Sequence, residues 1–180
     1  AKPAFTMADE ISGETIASKI DRLTDRLTDF GCDAVLLSRA DAVNWLANIR
    51  GYDLACTPVT LAFALFHREN GLIILADRQR ILPVLNEHMA VVPLEQLDEL
   101  LVPLAGCDFM IDPASLPKAL HDVISDSGVN VVTSPCPVTK MKAQKNLAEL
   151  DGFRKAHQID GVAMAEFLCW LDHTDVTQMR

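Results

Sequence analysis

The chain has 180 residues, 49% hydrophobic and 23% charged, with 8 glycines and 9 prolines, a balance that excludes a disordered or fibrous polymer. Sixteen Lys and Arg against 25 Asp and Glu leave a formal charge of −9 with no long basic run, which argues against nucleic acid as a partner. The charge-free stretches are short, Leu54 to Phe66 being 13 residues with Pro58 inside it, below the roughly 20 apolar residues that span a bilayer, so no membrane partner is expected.

The first strong period is helical. Ile16, Ile20, Leu23, Leu27 and Phe30 form one stripe, Ser12 can cap its start, and Gly31 stands where a helix stops. Ala34 to Leu37 is an apolar run that reads as a buried strand, and Asp41 to Asn48 makes two turns of helix with Trp45 and Leu46 inward. Ile49 to Pro58 is irregular and holds Arg50, Gly51, Tyr52 and Asp53, the kind of loop on which function concentrates.

Thr60 to Phe66 and Leu72 to Ala76 read as antiparallel strands joined by a turn that ends in Asn70-Gly71. Helix and strand patterns then alternate: Arg78 to Glu87, Val91-Val92, Glu95 to Val102, Phe109 to Ile111, Ser115 to Ser127 and Asn130 to Thr133. The alternation predicts an α/β fold with a mixed sheet and helices on its faces. Pro135 and Pro137 interrupt it, so the expected division is a domain over 1–137 and a second segment over 138–180. In that segment Asn146 and Glu149 have capping-box spacing, and Leu147, Leu150, Phe153, Val162, Phe167, Trp170 and Leu171 give a long helix one broad apolar face that needs a cover. The sequence reads as part of a longer protein.

No pattern for a phosphate loop, a dinucleotide fold, a nucleophile elbow or a local metal site is present, and His67, His88, His121, His157 and His173 stand apart. Cys32, Cys56, Cys107, Cys136 and Cys169 are scattered among mostly apolar neighbours and read as reduced core thiols of a cytoplasmic protein. Lys140, Lys142, Lys145, Arg154 and Lys155 form one basic cluster, either a solvated helix entrance laced with ion pairs or an interdomain contact. Arg50, Tyr52 and Asp53 form the candidate site: Arg50 can present its guanidinium to a substrate carboxylate or a backbone carbonyl, or pair with Asp53 and merely shape the loop. The residues themselves leave both open.

Asn44-Trp45-Leu46-Ala47-Asn48-Ile49-Arg50-Gly51-Tyr52-Asp53, continuing to Thr57-Pro58, resembles the W-L-x-N-[IL]-R-G-x-D string in the middle domain of long Xaa-Pro aminopeptidases, members of the creatinase and prolidase group. A second stretch is similar to the entry of that family into its catalytic domain: Lys142, Lys145-Asn146, Glu149-Leu150, Gly152, Arg154, Ala156-His157, Asp160-Gly161 and Ala163, ending Phe167, Trp170-Leu171. The resemblance covers about Gly13 to Leu171 and implies a creatinase amino-terminal-like domain, then the first helix of a pita-bread catalytic domain.

In that family the catalytic domain holds two divalent ions, implied to be manganese, on Asp, His and Glu ligands. Those ligands are expected outside this chain, which is expected to carry no catalytic residue and no metal ligand and to be inactive alone. Asp126-Ser127-Gly128 and Thr174-Asp175-Val176-Thr177 imitate the family's ligand strings and are read as decoys. The implied parent is a homodimeric peptidase acting on short proline-containing peptides, in which this portion shapes substrate access, with Arg50, Tyr52 and Asp53 near substrate or the dimer contact. The alternatives are a non-catalytic binding module of the histone-chaperone type and a creatinase-type hydrolase.

Overall fold

The computed structural model describes residues 2–174. Its order is β1 (Phe5–Thr6), α1 (Asp9–Ser12), α2 (Ile16–Asp29), β2 (Ala34–Leu37), α3 (Ala40–Leu46), β3 (Ile49–Arg50), β4 (Phe63–His67) and β5 (Gly71–Leu75). Then come α4 (Arg78–Ile81), β6 (Met89–Val92), α5 (Leu97–Leu101), β7 (Asp108–Ile111), α6 (Lys118–Asp126), β8 (Asn130–Thr133), α7 (Pro137–Ala143) and α8 (Leu147–His173). Short 3-10 turns follow α4 and flank α5. Pro83 and Pro103 fall in two of these turns, which is why the helices predicted over Arg78 to Glu87 and Glu95 to Val102 are cut short.

The six-stranded sheet has the order β6-β5-β4-β2-β7-β8. Strand β4 is antiparallel to both β2 and β5, whereas β5 with β6, β2 with β7 and β7 with β8 are parallel. Five strands therefore point one way and β4 alone points the other. The predicted β4–β5 hairpin is present, with Phe63 opposite Leu75 and His67 opposite Gly71. A separate two-stranded ribbon pairs β1 with β3, Phe5 opposite Arg50.

Side-chain alternation along the strands builds two cores. Val35, Leu37, Ala64, Phe66, Ile74 and Met110 face one layer with α2, α3, α4 and α7, while Ala34, Leu36, Leu65, Phe109 and Ile111 face the layer of α5 and α6. The mixed sheet flanked by helices is as the alternation predicted.

Two local expectations need correction. Helix α2 is capped by Thr15, whose hydroxyl accepts from the Ser18 amide at 3.2 Å, and not by Ser12, which ends the short α1. Phe30 is 52% exposed, because α2 has ended by Asp29 and the chain turns at Gly31, φ +66°, before the stripe reaches it. The cysteines also divide: Cys32 and Cys136 are buried and Cys107 is half-buried, but Cys56 and Cys169 are exposed.

The chain falls into two compact units, one ending at Gln144 and one beginning at Lys145. Residues 138–144, assigned from the prolines to the second segment, lie in the first unit because Val138 and Met141 of α7 are buried in its core beside α2 and α3. The second unit is dominated by α8, opened by a capping box in which the Asn146 side chain and the Glu149 side chain each accept from the other's backbone amide. No side chain of α8 is buried, and Phe153, Val162, Phe167 and Trp170 are each about half exposed.

Phe66 is 1% exposed on the reversed strand and faces the larger core. Phe66→Ala is expected to lower the unfolding free energy by about 3–5 kcal/mol, read as a drop in the urea midpoint with little change in slope.

Candidate functional site

The turn after α3 is built around a buried cation. Lys19 lies on the buried face of α2, 1% exposed, and its ammonium donates to the Trp45 carbonyl at 2.8 Å and to Asn48 Oδ1 at 2.5 Å. The same ammonium stands 4.1 Å from the centre of the Trp45 ring. The carbonyl it takes belongs to the last turn of α3, where the helix dipole is negative. Asn48 itself has φ +49°, the left-handed region that Asn tolerates best after Gly, and its amide nitrogen donates to the Glu14 carbonyl at 2.8 Å and to Asp9 Oδ1 at 3.2 Å. Glu14 is in turn paired with Arg22 at 2.6 Å.

A second side-chain amide, that of Asn44, holds the chain beyond β3. Asn44 is 1% exposed, and its side chain donates to the carbonyls of Ala40 at 2.7 Å and Thr60 at 2.8 Å while accepting from the Thr60 amide at 2.9 Å. Thr60 is thereby held against the strand end at Gly51. A Cβ on Gly51 would stand 2.0 Å from Thr60 Oγ1 and 3.0 Å from Thr60 Cα, so only glycine allows this approach.

The three candidate residues have different surroundings. Arg50, half-buried at the end of β3, donates to the carbonyls of Asn44 at 3.1 Å and Ile49 at 2.7 Å. Tyr52 is 61% exposed, its ring 5.2 Å from that of Phe5 and its face covered by the Lys2 ammonium. Asp53 is nearly buried, and the cation it meets is Arg80 of α4 rather than Arg50. Its Oδ2 also accepts from the Leu61 amide at 2.6 Å. Burial works to raise the Asp53 pKa, but the hydrogen bonds and charge of Arg80 together with the Leu61 amide outweigh it and hold the carboxyl below its usual value.

Beside this loop is a cleft of about 440 Å³ lined largely by apolar atoms, with Leu61, Ala62 and Phe63 on one wall and Ala76, Pro93 and Leu94 on the other. It opens where β2, β5 and β6 end, above the start of the reversed β4. Crossovers leave the sheet on opposite faces on either side of it, with α4 in one layer and α5 and α6 in the other, which is the setting in which open α/β sheets bind ligands.

Lys19, Asn44, Thr60, Arg80 and the cleft are not among the site features expected from sequence, although Asn44 opens the string that carries the resemblance. Lys19 had a signal, since it falls on the stripe between Ile16 and Leu23 where an exposed cation does not belong. Arg80 had none, because it reaches Asp53 across 27 residues. Of the basic cluster, Lys142 pairs with Asp41 and Arg154 with Asp151 at 3.0 Å. Asp126 ends α6, Asp175 lies outside the described residues, and among the described residues no three His, Cys, Asp or Glu side chains converge.

Residues 1–149 match the family model described as Creatinase/Prolidase N-terminal domain. Aminopeptidase P1 of Arabidopsis thaliana is 27% identical over 196 residues, covering 91% of this chain and 30% of that protein. A probable Xaa-Pro aminopeptidase P of Laccaria bicolor is 30% identical over 178 residues, covering 93% of this chain and 27% of that protein. Among solved structures, X-prolyl aminopeptidase of Caenorhabditis elegans, described as a cytosolic enzyme with a di-nuclear active site, superposes with a TM-score of 0.83 at 23% identity over 98% of this chain and 30% of that one. The chain thus spans less than a third of the length of these relatives.

Lys19→Met keeps the buried stem but leaves the Trp45 carbonyl and Asn48 Oδ1 short of a donor, so unfolding free energy is expected to fall by about 1–3 kcal/mol in denaturant melts. The Asp53 pair carries its own pH signature. Because the folded-state pKa is lowered, its contribution is complete above the unfolded value of about 3.9 and is lost as pH falls through the folded value. The stability gap between the wild-type chain and Asp53→Asn is expected to be constant from about pH 5 to 8 and to close below about pH 4, measured by urea melts across that range.

Proposed function

The chain belongs to the Creatinase/Prolidase N-terminal domain family, and on that premise we propose that it is the non-catalytic, substrate-access portion of a metal-dependent Xaa-Pro aminopeptidase. The observation that carries this reading is the match of nearly the whole chain to a part, under a third, of proteins named Xaa-Pro aminopeptidase. The substrates are short peptides with proline second, and the bond cleaved is the one before that proline.

The two divalent ions, with manganese as their identity, belong to the catalytic portion of the parent, and no step of the chemistry is assigned to residues of this chain. Residues 138–180 lead toward that portion, with the α8 apolar face as its first contact. The parent is a homodimer of the cytoplasm on this reading. What this chain supplies on this reading is shape: the loop with Tyr52 and Leu54 exposed, beside the cleft, limits which peptides approach, a role supported by the exposure of these side chains. Arg50 and Asp53 serve chiefly to build the loop, since their charged groups are engaged by the Asn44 and Ile49 carbonyls and by Arg80.

The test uses the 180-residue chain and the parent protein in parallel, measuring release of free alanine from Ala-Pro-Ala and Ala-Ala-Ala. The parent is expected to cleave the first at least a hundredfold faster than the second, to lose activity in chelator and to regain it with manganese. The chain alone is expected to release none. A parent that hydrolyses neither peptide, or both alike, overturns the assignment, and turnover by the chain alone overturns its non-catalytic role.

A further inference from the structure

The loop between Asp53 and Leu61 is closed at its neck and open at its tip. At the neck the Asp53 amide donates to the Val59 carbonyl at 3.1 Å, and Asp53 Oδ2 accepts both from the Leu61 amide at 2.6 Å and from Arg80 Nη2. At the tip, Leu54 to Pro58 are exposed, turning through Cys56 at φ +58°. The Asp53 and Arg80 side chains are 8% and 17% exposed, so the pair is formed largely out of water.

Arg80 comes from α4, an element the chain reaches only after the β4–β5 hairpin. Its backbone carbonyl also accepts from the Ala4 amide at 3.0 Å, which draws the segment before β1 to the same point. Leu61, held through its amide by Asp53, lines the cleft together with Ala76 and Leu94. One carboxylate therefore links α4, the loop neck and a cleft wall.

We propose that Arg80 is a positioning residue that acts through Asp53 to hold Leu61 and the loop neck, so that the end of the loop that lines the cleft is fixed in place rather than mobile. The Asn44 clamp secures Thr60 but makes no bond to Asp53 or Leu61. Without the guanidinium, a carboxylate with 8% exposure faces a single backbone amide, and an uncompensated buried charge turns toward water. That rotation releases the Leu61 amide and opens the neck while leaving the strand ladders intact.

The experiment is amide hydrogen exchange on the 180-residue chain as wild type, Arg80→Met, Arg80→Lys and Asp53→Asn. Arg80→Met and Asp53→Asn are expected to speed exchange of the Leu61 amide at least tenfold beyond the factor set by their loss of global stability in urea melts, with the β4–β5 ladder amides accelerating by no more than that global factor, and Arg80→Lys is expected to restore most of the protection. Leu61 exchange within threefold of wild type in both Arg80→Met and Asp53→Asn overturns the proposal. So does ladder exchange that accelerates together with Leu61, since Arg80 then supports the sheet and not the loop.

A second arm, which alone rests on the function proposed above, measures Ala-Pro-Ala hydrolysis by the parent enzyme. Arg80→Met is expected to raise KM at least fivefold with kcat within twofold, and an unchanged KM overturns the positioning role. If the wild-type parent shows no turnover, that failure belongs to the proposed function, and the exchange data still decide the role of Arg80.

Discussion

The buried ammonium of Lys19 is the constraint on which the loop side of the molecule depends. A cation taken out of water is costly unless its donors are used, and here they are spent on the end of α3 and on the side chain of Asn48. That satisfies the ammonium and, in the same bonds, fixes Asn48 in a left-handed turn that a β-branched residue would not hold. The direction in which the chain leaves α3 is set by that turn, and with it the pairing of β3 with β1 and the placement of Gly51 against Thr60. Replacing the lysine by an apolar residue would take a donor from both acceptors; repacking around it would have to rebuild the turn.

The reversed strand β4 has a comparable effect on the sheet. With β2 and β5 pointing the same way on either side of it, both strands end where β4 begins, Leu37 opposite Ala64 and Leu75 opposite Phe63, and the cleft is lined by the residues that follow these ends and precede β4. The chain passes from β3 to β4 through Leu61 and Ala62, which line the cleft, so the loop and the cleft are neighbours by topology. The Asp53–Arg80 pair ties the loop neck to α4.

Most of the fold was legible in the sequence because period and punctuation agree there. Ala34 to Leu37 and Asn130 to Thr133 are strands as predicted, and the Asn70-Gly71 turn specifies its hairpin. What was not legible depends on distance along the chain. The partner of Asp53 could be guessed only from its neighbours, and Arg50 was the nearest cation; burial and the path of α4 supply Arg80 instead. The division of the chain followed the prolines, whereas the packing of Val138 and Met141 keeps α7 with the first unit, because an apolar face finds its core whatever precedes it. Arg50, Tyr52 and Asp53 were singled out as one group, and the structure gives them three different environments.

The string Asn44 to Asp53 is recognisable for a physical reason that separates scaffold from specificity. Asn44, Trp45, Leu46, Asn48, Ile49 and Gly51 are buried, each committed to a backbone bond, the Lys19 cage, core packing or a close approach. Such positions tolerate few substitutions and therefore mark the fold. Tyr52, Leu54 and Leu61, which project from the frame so built, carry no comparable packing demand and can change without loss of it. The inward residues make the loop a reproducible platform, and the outward ones form its exposed surface.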